Sequence, residues 1–175
     1  IKLLGIGVSK DNLVEVRVHP ALIPVKHPLA NVNDSFNAIF VKGDAVGELM
    51  FYGRGAGSLP TGSAVVSDII AAADDVARGR SASALAPMAR RWNGKAQIMP
   101  IDSVSTRYYI HLLVVDRPGV LAAIARCFGN AGVSLESVIQ KGRGKEPVGL
   151  VFVTHRVKEQ NVRAALSEIR ELPVV

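Results

Sequence analysis

The sequence predicts an α+β protein in two parts: an incomplete sheet with helices over residues 1–100, and a strand–helix–strand–strand–helix unit over residues 101–175. Three observations carry this. Apolar runs of strand length recur along the chain, separated by Gly, Pro and Asp turns. Three other stretches carry apolar residues at helical spacing instead. Between the two parts, residues 79–103 follow neither period and collect Pro87, Trp92-Asn93-Gly94 and Met99-Pro100, which puts a domain boundary near residue 100.

In the first part, NLVEVRV at 12–18 alternates apolar and polar residues as a half-buried strand does, and His19-Pro20 is expected to end it. A proline-punctuated connection leads to FNAIFV at 36–41, a turn at Lys42-Gly43-Asp44-Ala45, and VGELMFY at 46–52; this is an antiparallel hairpin. The hairpin delivers the chain into GRGAGSLPT at 53–61, too rich in glycine for ordinary sheet. From about Pro60 to Ala77 a helix is predicted, with Val65, Ile69 and Ala72 beside Val66, Ile70 and Ala73 in a wide apolar stripe. One further short helix is expected within 79–103.

The second part is more regular. RYYIHLLVV at 107–115 is a strand apolar enough to be central, and Pro118 can open a helix because its missing amide hydrogen would be unpaired there anyway. Leu121, Ile124, Ala125 and Phe128 mark that helix, and Gly129-Asn130-Ala131-Gly132 stops it. Strands follow at 133–140 and 148–154, then a helix over 158–171 with Val162, Ala165, Leu166 and Ile169 on one face. This is the ferredoxin-like order βαββα(β) with its last strand missing. In that order the fourth strand pairs with the first, so one edge of residues 107–115 is left open, to be covered by a neighbouring chain or by a segment beginning at Pro173-Val174-Val175.

Composition narrows the function classes. With 49% hydrophobic and 21% charged residues the chain can bury cores and is not disordered. It opens at Ile1 in an apolar run without methionine, as the interior of a longer protein would. The net charge of +6 is spread evenly, with eleven basic and eight acidic residues up to Pro100 and ten and seven after it. Nucleic-acid binding needs such charge gathered on one face, so no nucleic-acid partner is expected. The densest basic cluster, Lys141, Arg143 and Lys145, reads as a solvated hairpin tip and lacks the GxxxxGK spacing of a phosphate loop.

The single cysteine, Cys127, excludes an internal disulfide and reads as a buried small side chain. His19, His27, His111 and His155 show no HExxH spacing, and no metal site is expected. No apolar run reaches the roughly 20 residues of a membrane span, and there is no signal-peptide pattern; a cytoplasmic setting without membrane partners is the default.

The sharpest feature of the second part is the turn Asp116-Arg117-Pro118-Gly119-Val120. Gly119 leaves the first amides of a helix uncovered, and such amides can receive a carboxylate. The plainer reading is that Asp116 caps the helix and Gly119 permits a tight turn. Asn130 and Gln140 bracket the second strand with amides that donate and accept, suited to a small ligand or simply to a helix stop and a strand end. In the first part Gly5-Ile6-Gly7 imitates half of GxGxxG, but Lys10 stands in the third glycine's place and no suitable helix follows.

Asp116 to Leu121, Ile124-Ala125, Phe128, Val133-Ser134-Leu135 and Ser137-Val138-Ile139-Gln140 together resemble an ACT domain. The resemblance implies amino-acid binding at the first strand–helix turn, often across a pair of modules, and regulation of an attached enzyme. It assigns Asp116, Gly119 and Val120 to the turn that meets the ligand, and Asn130 to the polar position after the helix. The first part, from IKLLGIG through HPLANVNDSFNAIFVKGDAVGELMFY to GRGAGSLPTGSAVVSD, resembles the end of the catalytic region of bacterial homoserine dehydrogenase.

That family reduces aspartate 4-semialdehyde to homoserine with NADPH or NADH. The resemblance implies NADP or NAD in the full-length enzyme, with Gly55, Ala56, Gly57 and Thr61 near the cofactor. The same loop reads on its own terms as a helix start holding two domains together. The family's nucleotide fold and catalytic residues are expected upstream of Ile1, so this chain alone is expected to be inactive and to bind no cofactor. The resemblance further implies threonine as feedback effector and a homo-oligomer formed by ACT pairing, a dimer in the simplest case. The alternative is an ACT module that only pairs subunits and has no ligand response.

Overall fold

A computed structural model describes residues 1–10, 12–79, 96–141 and 147–173. Trp92-Asn93-Gly94, the short helix expected nearby, the Arg143 and Lys145 hairpin tip, and Val174-Val175 lie outside the described residues. By proximity the chain divides into two compact units, residues 1–4 with 19–95 and residues 5–18 with 96–175.

In the first unit, β3 (Phe36–Gly43) and β4 (Gly47–Arg54) form the expected hairpin, in antiparallel register from Phe36 opposite Arg54 to Gly43 opposite Gly47. Phe36 stacks on Tyr52 at 4.9 Å, and the Arg54 guanidinium lies 5.0 Å from the centre of the Phe36 ring. Helix α1 (Ser58–Ala77) follows. Its apolar stripe forms as the spacing predicts, yet no residue of α1 is buried. Before the hairpin, the His27 ring accepts from the Leu29 amide at 3.2 Å and caps a single 3-10 turn, Pro28–Asn31.

In the second unit the chain between β1 (Lys2–Lys10) and β2 (Leu13–Ala21) turns through Asn12, which takes a left-handed φ of 64°. Strand β2 does not stop at His19-Pro20 but runs to Ala21. Proline is tolerated there because β5 (Gln97–Ile98) pairs with β2 only at Leu13 and Val14, so on that side the far end of β2 is an edge that loses no ladder bond.

The core belongs to the last 70 or so residues: every fully buried apolar side chain among the described residues lies between Val104 and Ile169. Strand β6 (Ser105–Thr106) pairs with β10 (Val157–Lys158), and β7 (Tyr109–Val114), β8 (Leu135–Lys141) and β9 (Val148–Thr154) form an antiparallel sheet in the order β7-β9-β8. The central strand is β9. Strand β7, apolar enough to be central, is an edge among the described residues, as the order βαββα(β) without its last strand leads one to expect; Ile110 and Val114 face the core while Tyr109 and Leu113 are exposed.

Helices α2 (Val120–Asn130) and α3 (Glu159–Arg170) cover one face, with Phe128 against Phe152 at 5.2 Å. Pro118 does not open α2, because Gly119 takes a left-handed φ of 92° and the helix begins only after it. Starting at Val120 turns the buried face by one position, to Val120, Ile124, Cys127 and Phe128, and leaves Leu121 and Ala125 outside. The helix ends as its glycines predict. Gly132, at φ 69°, donates to the Gly129 carbonyl and Val133 to that of Phe128, the paired bonds of a Schellman stop.

Candidate functional site

The β7–α2 turn is built by two constraints. Val114 and Val120 are both buried and anchor the turn at its ends, while Gly119 supplies the left-handed residue that redirects the chain between them. The Val120 amide donates to the Arg117 carbonyl at 3.3 Å and that of Ala123 to Gly119 at 2.9 Å. No side chain caps the helix. The amides of Leu121 and Ala122 therefore sit in a first turn where a helix offers no acceptor of its own. A Cβ on Gly119 would meet nothing within 4 Å, so the approach to these amides is open.

Asp116 is not the cap. Its carboxylate accepts a hydrogen bond from the Gln140 side chain at 3.1 Å, tying the end of β8 to the turn. Gln140 thus joins the site more firmly than its place at a strand end suggested. The Val120 side chain faces the core, so only its backbone borders the turn. Asn130 is the last residue of α2, and its side-chain amide donates to Glu168 at 3.1 Å. Eleven helical residues put Asn130 about 16 Å along the axis from Gly119. Within one module the structure brings Asp116, Gly119 and Gln140 together and keeps Asn130 apart from them.

The loop at the start of α1 has internal reasons for its glycines. A Cβ on Gly55 would meet the far end of the exposed Asn37 side chain, which would have to swing aside to admit it. Gly57 takes a φ of 119°, and Thr61 donates its amide to the Gly57 carbonyl at 3.1 Å. Ala56 and Thr61 are exposed. The space beside Gly55 is occupied by the Asn37 side chain.

Elsewhere, burial followed by the Glu168 carboxylate pushes the Cys127 thiol up, and the thiol donates to the Ala123 carbonyl at 3.3 Å. Among the described residues no three His, Cys, Asp or Glu side chains gather to hold a metal, and no helix is long and apolar enough to cross a membrane.

A three-stranded antiparallel sheet with two helices on one face and an uncapped glycine turn defines a small ACT-type module joined to a second α+β unit. Residues 108–174 match the family model for the ACT domain, and residues 1–70 match that for homoserine dehydrogenase. The homoserine dehydrogenase of Synechocystis sp. is 44% identical over all of this chain and 42% of its own length, and that of Corynebacterium glutamicum is 41% identical over all of this chain and 39% of its own. The crystal structure of a homoserine dehydrogenase from Thiobacillus denitrificans superposes with a TM-score of 0.76 at 38% identity, over 99% of this chain and 40% of that one. The chain matches the end of a homoserine dehydrogenase catalytic domain followed by an ACT domain. It spans about two fifths of the length of these curated relatives.

Proposed function

We propose that this chain is part of an NAD(P)-dependent oxidoreductase that interconverts aspartate 4-semialdehyde and homoserine, with residues 1–100 in its catalytic portion and residues 101–175 as a regulatory ACT module. The observation that carries the reading is the occurrence of both family matches, in this order, in a chain with a 44% identical homoserine dehydrogenase relative along its whole length. NADPH or NADH supplies the hydride when bound. Residues 55–57 and 61 then lie near the cofactor, as an uncapped helix start beside a loop. The proton donor and the nucleotide fold belong to other parts of the enzyme, since carbonyl reduction needs both held at one carbon. A cytoplasmic, homo-oligomeric enzyme of amino-acid biosynthesis fits this reading.

The ACT module senses a small amino acid, threonine first, as the product of the pathway that homoserine enters. The ligand carboxylate is received by the open amides after Gly119, and Asp116 with Gln140 receives its polar groups. Because Asn130 stands at the far end of α2, it serves a ligand bound at Gly119 only when a second module is paired with the first. Calorimetry of the chain with threonine and a panel of other amino acids tests this. Millimolar or tighter binding of one of them is the expected outcome, and no binding by a chain shown to be paired sinks the sensing role. That second result favours a module that only joins subunits, a reading supported by the open edge of β7 with Tyr109 and Leu113 exposed along it.

A further inference from the structure

We propose that a polar network centred on Glu159 is the joint that makes the strap of residues 97–108 and the ACT module one mechanical body; its regulatory use rests on the sensing role above. Glu159 opens α3 and ties that helix to the strap at two points while holding Arg163 one turn on. One carboxylate oxygen accepts from the Tyr108 hydroxyl at 2.6 Å, the other from Arg163 at 2.9 Å, and the Glu159 amide donates to the Val104 carbonyl at 2.9 Å. Arg163 in turn lies 3.3 Å from the Asp102 carboxylate, in a 3-10 turn at Ile101–Ser103. Further strap contacts meet the segment just before α3: β6 pairs with β10, and Arg156 donates to the Ser105 carbonyl at 2.8 Å.

The joint is also bolted to the middle of the core. Tyr108 donates its amide to the Thr154 hydroxyl and receives the Thr154 amide on its carbonyl, both at 3.0 Å. Thr154 is fully buried at the end of the central strand β9. Hydrogen bonds to an ionised carboxylate in a partly dry setting are stronger than neutral ones, and sharing one carboxylate between two donors fixes both.

At its other end the strap becomes β5, whose neighbour is β2: the Gln97 amide donates to the Asn12 carbonyl and that of Met99 to Val14. Arg17 of β2, which pairs with Glu15, also places its charge on the Tyr108 hydroxyl. Three segments, the strap, β9 and α3, thus converge on Tyr108 and Glu159, and the strap carries the connection on to β2. Beyond Val18 the chain of β2 continues into residues of the first unit. A change in α3 that follows ligand binding is passed through Glu159 to the strap and so to β2, because rigid connected elements transmit a two-state change.

The test uses the complete protein with Glu159→Gln and Tyr108→Phe, read by amide hydrogen exchange. Amides of 97–106 are expected to exchange about tenfold faster in both variants while those of β9 are unchanged, as for a local opening released by one strong hydrogen bond. Threonine is expected to bind within about twofold of the parent but to inhibit about tenfold less effectively, since coupling and affinity are separate quantities. Unchanged strap exchange in both variants overturns the joint. Faster strap exchange with full inhibition overturns its regulatory use alone. Failure of the parent to bind any amino acid overturns the sensing role and that use, and the exchange result still decides the joint.

Discussion

The two units place their apolar side chains in opposite ways. In the ACT module Phe128, Phe152, Ile124 and Ile169 are fully buried around one sheet face. In α1 of the first unit, Ile69 and Ile70 are 62% and 64% exposed, and every residue of the preceding strand β4 is exposed as well. Periodicity is equally clear in both. It states which side of an element is made for burial and is silent on what buries it. In α1 the apolar residues fall in neighbouring pairs, Val65-Val66 and Ile69-Ile70, which spreads the stripe over more than one side of the helix, as in helices covered from two directions. A contiguous surface of this kind marks an interaction face.

The largest expected effect separates the units directly. Phe128→Ala removes a fully buried ring packed on Phe152 and is expected to cost the module about 3–5 kcal/mol. Ile69→Ala, on a helix of this chain with nothing buried, is expected to cost less than about 1 kcal/mol. Chemical denaturation of the 175-residue chain with both variants checks the contrast. A comparable loss from Ile69→Ala would show that α1 is packed in solution.

Thr154→Val asks whether the ACT core depends on shape alone. Valine fills the same space, yet it leaves the Tyr108 amide without the hydroxyl that accepts it in a buried place. The expected loss is about 1–3 kcal/mol, read from the denaturation midpoint. A neutral result would mean that water or a backbone shift satisfies that amide.

Most of the ACT module was legible because its signals are local. The helix stop at 129–132, the strand 148–154 and the stripe of Val162, Ala165 and Ile169 all follow from turn chemistry and period. What escaped was set by tertiary geometry. A left-handed Gly119 moved the start of α2 past Pro118, the two-residue ladders β6 and β10 are too short for any period, and the Glu159 network joins residues 50 positions apart. The ligand turn was legible as a motif. That Asp116 meets Gln140 and that Asn130 is far away were not, because both depend on where β8 and α2 end.

A smaller effect is expected at the turn itself. Gly119→Ala forces a side chain into φ 92°, where space is open but the backbone is strained, so a cost of about 1 kcal/mol is expected without any clash. If the open amides receive a carboxylate, amino-acid binding weakens more than stability does. Calorimetry beside a thermal melt compares the two, and equal binding by the variant would move the ligand away from Gly119.

The smallest expected effect is a pH slope, and it again divides the units. Tyr108, Cys127 and Arg163, whose protonation is displaced, lie in the second unit. Burial first, then Glu168, raises the Cys127 thiol above its ordinary 9.0; burial first, then Glu159, raises the Tyr108 hydroxyl above its ordinary 10.0. The folded module therefore keeps protons that the unfolded chain releases, so this contribution is complete below about pH 9 and is lost as pH rises from there. Melting temperature is expected to fall as pH rises past about 9, with the first part of the fall flattened in Cys127→Ala and the part above about pH 10 flattened in Tyr108→Phe. Among its described residues the first unit buries no apolar side chain fully. A slope that survives both substitutions unchanged would place the alkaline-sensitive burial outside the ACT core, in the unit where the structure shows none among its described residues.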